Sequence, residues 1–425
     1  MIMSKFVVTG GLELSGEVSV NGSKNAALAV LAAAVLAENG ISEIENVPDI
    51  ADVKIFLQIL KSLGAETQFS NHKIIIDAVK MQSSPVPGEL SGKLRGSILL
   101  AGALLSRFGI VHLKKPGGDA IGSRPIDAHL DGFRKLGAEV LENDAIEIRG
   151  KLEGAKIVLS VSSVTGTENL IMAAVLARGV TEIRMAATEP HVQDLCNFLT
   201  AMGASIHGTG TPILRITGVS KLSGAKFRLC SDEIETITFC AAIAATRGSA
   251  AISQVNLENV DAPLATLDRM GVRFVCHSGK SRDNGRIEIL KSDAPYRAIK
   301  IVTGVFPQLL TDEQPLLGVL ATQAEGQTFI HDWIYEGRQG YLHALMEMGA
   351  KVVFEDVHRA RISGPTPLHS AEIRTPDLRA GASILIAALI AEGQSIIYNA
   401  EIIDRGYERL DERLNSLGAK IERVN

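Results

Sequence analysis

The sequence predicts an α/β fold in which one small helix-and-strand unit is used six times, with apolar helices buried behind sheets. Three observations carry that expectation. Six helix patterns end in Leu-Gly or Met-Gly, at Gly64, Gly137, Gly203, Gly271, Gly349 and Gly418, and these glycines stand 73, 66, 68, 78 and 69 residues apart. Such a period is too long for a solenoid and suits a compact α/β unit. Upstream of each runs a second helix pattern, rich in Ala, Leu and Ile nearly all round, as in a helix buried on every side. Aromatic residues make up only 4% of the chain, which fits close packing of small side chains.

The first repeat shows the plan. Asn21-Gly22-Ser23-Lys24 supplies capping residues, and a helix is expected over 25–38, stopped by Asn39-Gly40. Residues 41–47 read as a strand. Asp49-Ile50-Ala51-Asp52 opens a second helix with Val53, Ile55, Phe56, Ile59, Leu60 and Leu63 at helical spacing, and short strands follow, one near 72–76. The other first helices are expected over 95–109, 166–179, 232–248, 312–326 and 376–393. Buried helices ringed by outer sheets make an inside-out α/β arrangement, and six units divide naturally into two domains of three.

At 425 residues the chain can fill two or more cores. Its 46% hydrophobic and 21% charged residues are ordinary for a globular protein, and a net charge of −5 gives no support for nucleic-acid binding. Cys196, Cys230, Cys240 and Cys276 lack metal-ligand spacing and read as buried free thiols. The first residues lack a signal-peptide pattern, and the longest apolar run, 26–37, is too short to span a bilayer. The expectation is a cytoplasmic protein with no membrane, nucleic-acid or metal partner.

Chemical character concentrates at the starts of the buried helices. There stand Lys24-Asn25, Arg95, residues 163–169, Asp232, Asp312 and Arg379. Unpaired N–H groups and the positive end of the dipole make such starts natural sites for phosphate or carboxylate. Ser, Thr and Asp there also serve as plain caps. Lys24, Arg95 and Arg379 oppose the dipole, at a typical cost of about 0.3–1 kcal/mol each, and so point to bound anions. A second concentration runs from Lys114 to His129 and includes Gly117-Gly118-Asp119 and Gly122-Ser123-Arg124-Pro125. It reads either as a mobile loop able to close over a ligand or as an ordinary glycine turn.

Gly22-Ser23-Lys24-Asn25-Ala26-Ala27-Leu28, the 116–129 loop and Asp404-Arg405-Gly406-Tyr407-Glu408-Arg409 together resemble the UDP-N-acetylglucosamine 1-carboxyvinyltransferase family, in order and over essentially the whole chain. The resemblance implies two inside-out α/β domains, each of three units related by pseudo-threefold symmetry. Their bounds would be 21–230, with the mobile loop near 114–125, and 1–20 with 231–425. It implies transfer of the enolpyruvyl group of phosphoenolpyruvate to the 3′-hydroxyl of UDP-N-acetylglucosamine, with phosphate released and no metal or other cofactor.

Carried over by position, Lys24 and Asn25 match the phosphoenolpyruvate clamp, and Arg124, Arg338, Arg379 and Arg405 match further anion contacts. Asn25, Arg95, Arg124, Pro125, Ile126, Asp127, Ala128, Ser162, Ser163, Val164, Thr165, Asp312 and Ile334 match contacts to the UDP-sugar. Asp312 stands where the family has the base, and Asp119 where it has the loop acid. Glu189 and Asp232 match charged residues of the domain cleft. Arg409 and His129 read as supporting groups or direct contacts.

Three departures stand out. Asp119 replaces the Cys of most members, and a carboxyl acid there needs a raised pKa. Val305-Phe306-Pro307-Gln308-Leu309-Leu310 replaces the Pro-Gly-Phe-Pro that many members carry before Thr-Asp. A Lys found before the uridine contact in some members falls near Val161. These leave open an enolpyruvyl transferase acting on another nucleotide, or a non-catalytic paralogue that binds the nucleotide sugar.

Overall fold

The computed structural model describes residues 4–114, 117, 121–142 and 145–424. Among them the chain forms two compact units. The Lys24 unit comprises residues 22–117 and 124–230, and the Asp312 unit comprises residues 4–21, 121–123 and 231–424. Each has its own hydrophobic core.

In the Lys24 unit the inner helices are Lys24–Ala34, Leu100–Phe108 (entered through a 3-10 turn at Arg95–Leu99) and Val164–Ala174. Within Lys24–Ala34 every residue but Asn25 is buried, as all-round apolarity requires. Leu31, Leu100 and Leu170 are fully buried, and each such side chain contributes about 1.5–3 kcal/mol relative to exposure. Outer helices follow at Ala51–Ser62, Asp127–Lys135 and Pro190–Ala201. In the Asp312 unit the inner helices are Glu233–Ala245, Gln314–Ala321 and Leu378–Ile390, and the outer ones Asp261–Met270, Tyr341–Glu347 and Leu410–Ser416.

Five of the sheets among the described residues repeat one pattern, a parallel pair extended by two antiparallel strands. Lys226–Arg228 lies parallel to Ser42–Glu45, which pairs with Lys73–Asp77, and that strand with Glu66–Ser70. Lys156–Val158, Val180–Arg184, Ile213–Thr217 and Ser205–His207 repeat it. Sheets in the Asp312 unit join distant parts of the chain. Lys5–Thr9 sits between Gln394–Tyr398 and Lys420–Val424, and Ser15–Ser19 lies parallel to Ser249–Val255.

All six repeat glycines have positive φ, between 90° and 108°. After each one the next residue donates its N–H back five residues, from Ala65 to Leu60, Ala138 to Phe133, Ala204 to Leu199, Val272 to Leu267, Ala350 to Leu345 and Ala419 to Leu414. This is a Schellman termination, and a left-handed φ is why glycine recurs there.

Two expectations need correction. The second inner helix ends at Phe108 with Gly109 as its C-cap, as expected, but the other five stop three to five residues before the predicted ends. The first ends at Ala34 rather than 38, because Ala37–Asn39 leaves it to pair with Leu222–Ser223. The fifth ends at Ala321, because Ala324 already pairs with Tyr296. Sheet pairing to a neighbouring segment overrides local helix propensity. Cys276 is exposed, on the edge strand Phe274–His277, whereas the other three cysteines are buried. No helix among the described residues is long and apolar enough to cross a membrane.

Candidate active site

Within the Lys24 unit the three inner helices begin at one end. Gly96 packs against Leu28, and Asn169 reaches the start of the second helix through Ile98 and Gly102. Ser23 caps the first helix by accepting from the Ala26 N–H, and Ser163 caps the third by accepting from Gly166. Lys24, 9% exposed, pairs with Asp52 at 3.0 Å. The backbone here is tightly fixed, since a Cβ on Gly22 would fall 1.7 Å from the Asn46 carbonyl oxygen. Asn25 is half-buried beside Lys24.

Arg95 opens the second helix start and donates to the Arg124 carbonyl, which joins two of the sequence-predicted segments. Arg124 and Ile126 are half-buried, Pro125 and Asp127 exposed, and Ala128 buried. Ser162, Ser163, Val164 and Thr165 are all half-buried at the third helix start.

His129 supports this corner by hydrogen bonding. Asn169 Oδ1 accepts from the Gly102 N–H at 2.6 Å, so its amide nitrogen is the donor toward His129 Nδ1 at 2.9 Å. His129 then carries its proton on Nε2 and donates to Thr165 Oγ1 at 3.1 Å. Burial, with the Arg95 charge adding to it, pushes the imidazole down to about 3, so the ring is neutral.

Near the same helix start lies a buried acid that the sequence reading did not single out. Burial raises the Glu168 carboxyl to about 7, opposed by the His191 charge and assisted by that of Glu189. Glu189 and His191 are both 5% exposed, at the start of the Pro190–Ala201 helix. From the sequence Asp52 is only a helix opener. The signal for it was positional, since a carboxylate at 52 shares the apolar stripe of Phe56, Ile59 and Leu60 and needs a buried cation.

In the Asp312 unit the inner helix starts also meet. Arg338 Nη2 donates to Asp312 Oδ1 at 2.5 Å, and Arg379 Nε donates to Oδ2 at 3.0 Å. Both arginines are 3% exposed. Burial pushes the Arg379 guanidinium down, but the charges of Tyr407, Asp312 and Asp232 outweigh it and leave its pKa above the ordinary value. Asp377 caps its helix by accepting from the Arg379 and Ala380 N–H groups at 2.9 and 3.0 Å. Asp232 caps another by accepting from Glu235 at 2.8 Å. Burial and then the Glu233 charge raise Asp232 to about 6, against the pull of Arg379.

Asp332 is a buried organiser that sequence reasoning missed, because nothing local distinguishes it from a turn aspartate. It accepts from Thr311 Oγ1 at 2.7 Å and from the Ile334 N–H at 3.1 Å, tying the Asp312 turn to the Ile334 segment. Arg338 Nε donates to the same Thr311 hydroxyl at 3.1 Å. Arg405, half-buried, ends the 3-10 turn Ala400–Arg405, whose Asp404 is held by a two-pronged bond from Arg423 at 2.7 and 2.8 Å. Arg409 is exposed and pairs with Glu412 at 3.6 Å, a surface contact. Asp119 lies outside the described residues.

The geometry thus offers buried cations at helix starts in both units and, in one of them, a carboxylate held between two guanidinium groups. That combination suits an anionic substrate and proton removal beside it. The chain matches the family model for EPSP synthase (3-phosphoshikimate 1-carboxyvinyltransferase) over residues 8–414. It is 41% identical to a UDP-N-acetylglucosamine 1-carboxyvinyltransferase of Bradyrhizobium diazoefficiens, over 99% of this chain and 98% of that one. One from Chlorobium luteolum is also 41% identical, with the same coverage.

The chain belongs to the UDP-N-acetylglucosamine 1-carboxyvinyltransferase family. It is an enzyme of the enolpyruvyl transferase class. Among solved structures it is similar to the enolpyruvyl transferase NikO from Streptomyces tendae, with a TM-score of 0.89, 26% identity and 99% of each chain covered. It shares its fold with EPSP synthase from Acinetobacter baumannii, with a TM-score of 0.78, 20% identity and coverage of 99% and 100%. The inside-out α/β repeats are therefore the carboxyvinyltransferase fold.

Proposed function

We propose that this chain transfers the enolpyruvyl group of phosphoenolpyruvate to the 3′-hydroxyl of UDP-N-acetylglucosamine in the cytoplasm, opening peptidoglycan precursor synthesis. The observation that carries the reading is Asp312 with a guanidinium on each carboxylate oxygen. In that reading Asp312 takes the hydroxyl proton while Arg338 and Arg379 turn to the substrate anion. The acceptor oxygen bonds to C2 of phosphoenolpyruvate as C3 gains a proton from Asp119, giving a tetrahedral phospho-ketal. C3 then loses a proton and the C2–O bond to phosphate breaks, which leaves the enol ether and inorganic phosphate.

Lys24 and Asn25, with Arg124 and Arg405, are assigned to phosphoenolpyruvate. Arg95, Pro125, Ile126, Asp127, Ala128, Ser162, Ser163, Val164, Thr165 and Ile334 are assigned to the UDP-sugar. The reaction needs charge stabilisation and proton transfer, which these groups supply without a metal. With Asp at 119, the enzyme resists fosfomycin, because a carboxylate is a poorer nucleophile toward that epoxide than a thiolate.

The test is phosphate release from phosphoenolpyruvate with UDP-N-acetylglucosamine, UMP or shikimate-3-phosphate as acceptor. Release with the first is expected. Release with UMP alone would overturn the acceptor, and release with none would favour a nucleotide-sugar sensor.

A further inference from the structure

Glu313 directly follows Asp312, is 1% exposed and has no role in the chemistry above. It occupies the N-cap position of the Gln314–Ala321 helix, yet its side chain does not cap that helix. The carboxylate turns back instead. Its Oε2 accepts from the Leu310 N–H at 2.9 Å, and the Glu313 N–H donates to the Leu310 carbonyl at 3.1 Å. These reciprocal bonds close residues 310–313 as a capping box closes a helix start. On the other side, Gly304 donates to Leu309 at 2.8 Å and Gln308 to Val305 at 2.9 Å. The stretch that departs from the family's Pro-Gly-Phe-Pro thus ends in a turn fastened by a side chain.

Burying a carboxyl group costs stability, and an apolar residue of similar size would avoid that cost. Burial pushes the Glu313 carboxyl well up, with Glu233 and Asp312 adding to it and the Leu310 N–H and Arg379 opposing. What the acid provides is the shape of the turn. Thr311 and Asp312 lie inside it, and both are read by Arg338, at 3.1 Å and 2.5 Å. A shift of about 1 Å in such a turn can cost a catalytic group roughly 100-fold in rate.

We propose that Glu313 is a positioning residue for Asp312, closing the 310–313 turn so that the Asp312 carboxylate stands in register with Arg338 and Arg379. This rests on the reading of Asp312 as the base. Glu313→Gln keeps an acceptor oxygen, whereas Glu313→Leu removes it and keeps the volume.

With phosphoenolpyruvate and UDP-N-acetylglucosamine, Glu313→Gln should stay within about 3-fold of the wild-type kcat. Glu313→Leu should lose on the order of 100-fold in kcat. Its KM for the UDP-sugar should stay within about threefold, and its melting temperature should stay close to that of the wild type, since relief of the buried carboxyl offsets the lost Leu310 N–H bond. Wild-type turnover by Glu313→Leu, or equal losses in both variants, would overturn the proposal. An inactive wild type would instead overturn the proposed acceptor or activity, on which the reading of Asp312 as base rests. Positioning is then decided by a crystal structure of Glu313→Leu, where unchanged Asp312 contacts to Arg338 and Arg379 would overturn it and displaced ones would sustain it.

Discussion

Asp312 accepts from Arg379 Nε at 3.0 Å through one carboxylate oxygen while its other oxygen is taken by Arg338. If Asp312 is the base, as proposed, it is released when its arginines find another anion. In the proposed reaction the two arginines would link the arrival of phosphoenolpyruvate to the freeing of Asp312. Asp312→Asn should lower kcat by roughly 10²–10⁴-fold, the usual contribution of a general base. Calorimetry should show nucleotide-sugar binding within a few-fold of wild type. Loss of binding equal to loss of turnover would mean that Asp312 only builds the pocket.

Lys24 and Asp52 form a buried pair at 3.0 Å with side chains 11% and 1% exposed. Lys24→Ala leaves the carboxylate of Asp52 without this cation, a change that typically costs about 3 kcal/mol. Chemical denaturation reads that cost. Phosphoenolpyruvate affinity should fall far more than UDP-sugar affinity, and equal losses would count against the clamp.

His129 and Glu168 give opposite pH signatures. The folded imidazole at about 3 lies below its ordinary 6.5, so its contribution is full above 6.5 and is lost as the pH falls toward 3. Between pH 6.5 and 5 that loss is about 2 kcal/mol, and it should be missing from the urea-unfolding profile of His129→Gln. The folded Glu168 carboxyl at about 7 lies above its ordinary 4.5, so stability present below 4.5 is lost as the pH rises through 7. Glu168→Gln should therefore be more stable than wild type at pH 8, by about 3 kcal/mol, and equal to it near pH 4.5. Parallel profiles for wild type and variant would refute either assignment.

Asp119→Ala should abolish turnover while nucleotide-sugar binding persists, whereas loss of both would make Asp119 a structural turn residue. Incubation of the wild type with fosfomycin should leave activity unchanged over time. Mass spectrometry showing a covalent adduct on Asp119 would refute the proposed resistance. Asp119→Cys should become sensitive, since the thiolate restores the nucleophile.

Much of this was legible in the chain. The glycine period located all six Schellman terminations, because a left-handed φ leaves a residue-type signature. All-round apolarity located the inner helices, though not most of their ends, because segments such as Ala37 and Ala324 are claimed by strands far along the chain. Lys24, Arg95 and Arg379 stood out as cations at helix starts. Asp52, Glu168 and Glu313 did not, since a carboxylate near a helix start looks like an ordinary cap until its burial is known, and Asp332 looks like an ordinary turn aspartate.

The sequence by itself determined the repeat, the helix terminations and which residues bear charge, because periodicity and backbone conformation are local properties. Only the tertiary structure decided how those charges are paired. Asp312 meets Arg338 and Arg379 across 26 and 67 residues, and Asn169 meets His129 across 40. Coulomb and hydrogen-bond energies depend on distance in space, and that distance is set by ring closures such as Lys5–Thr9 beside Lys420–Val424, which no local pattern encodes.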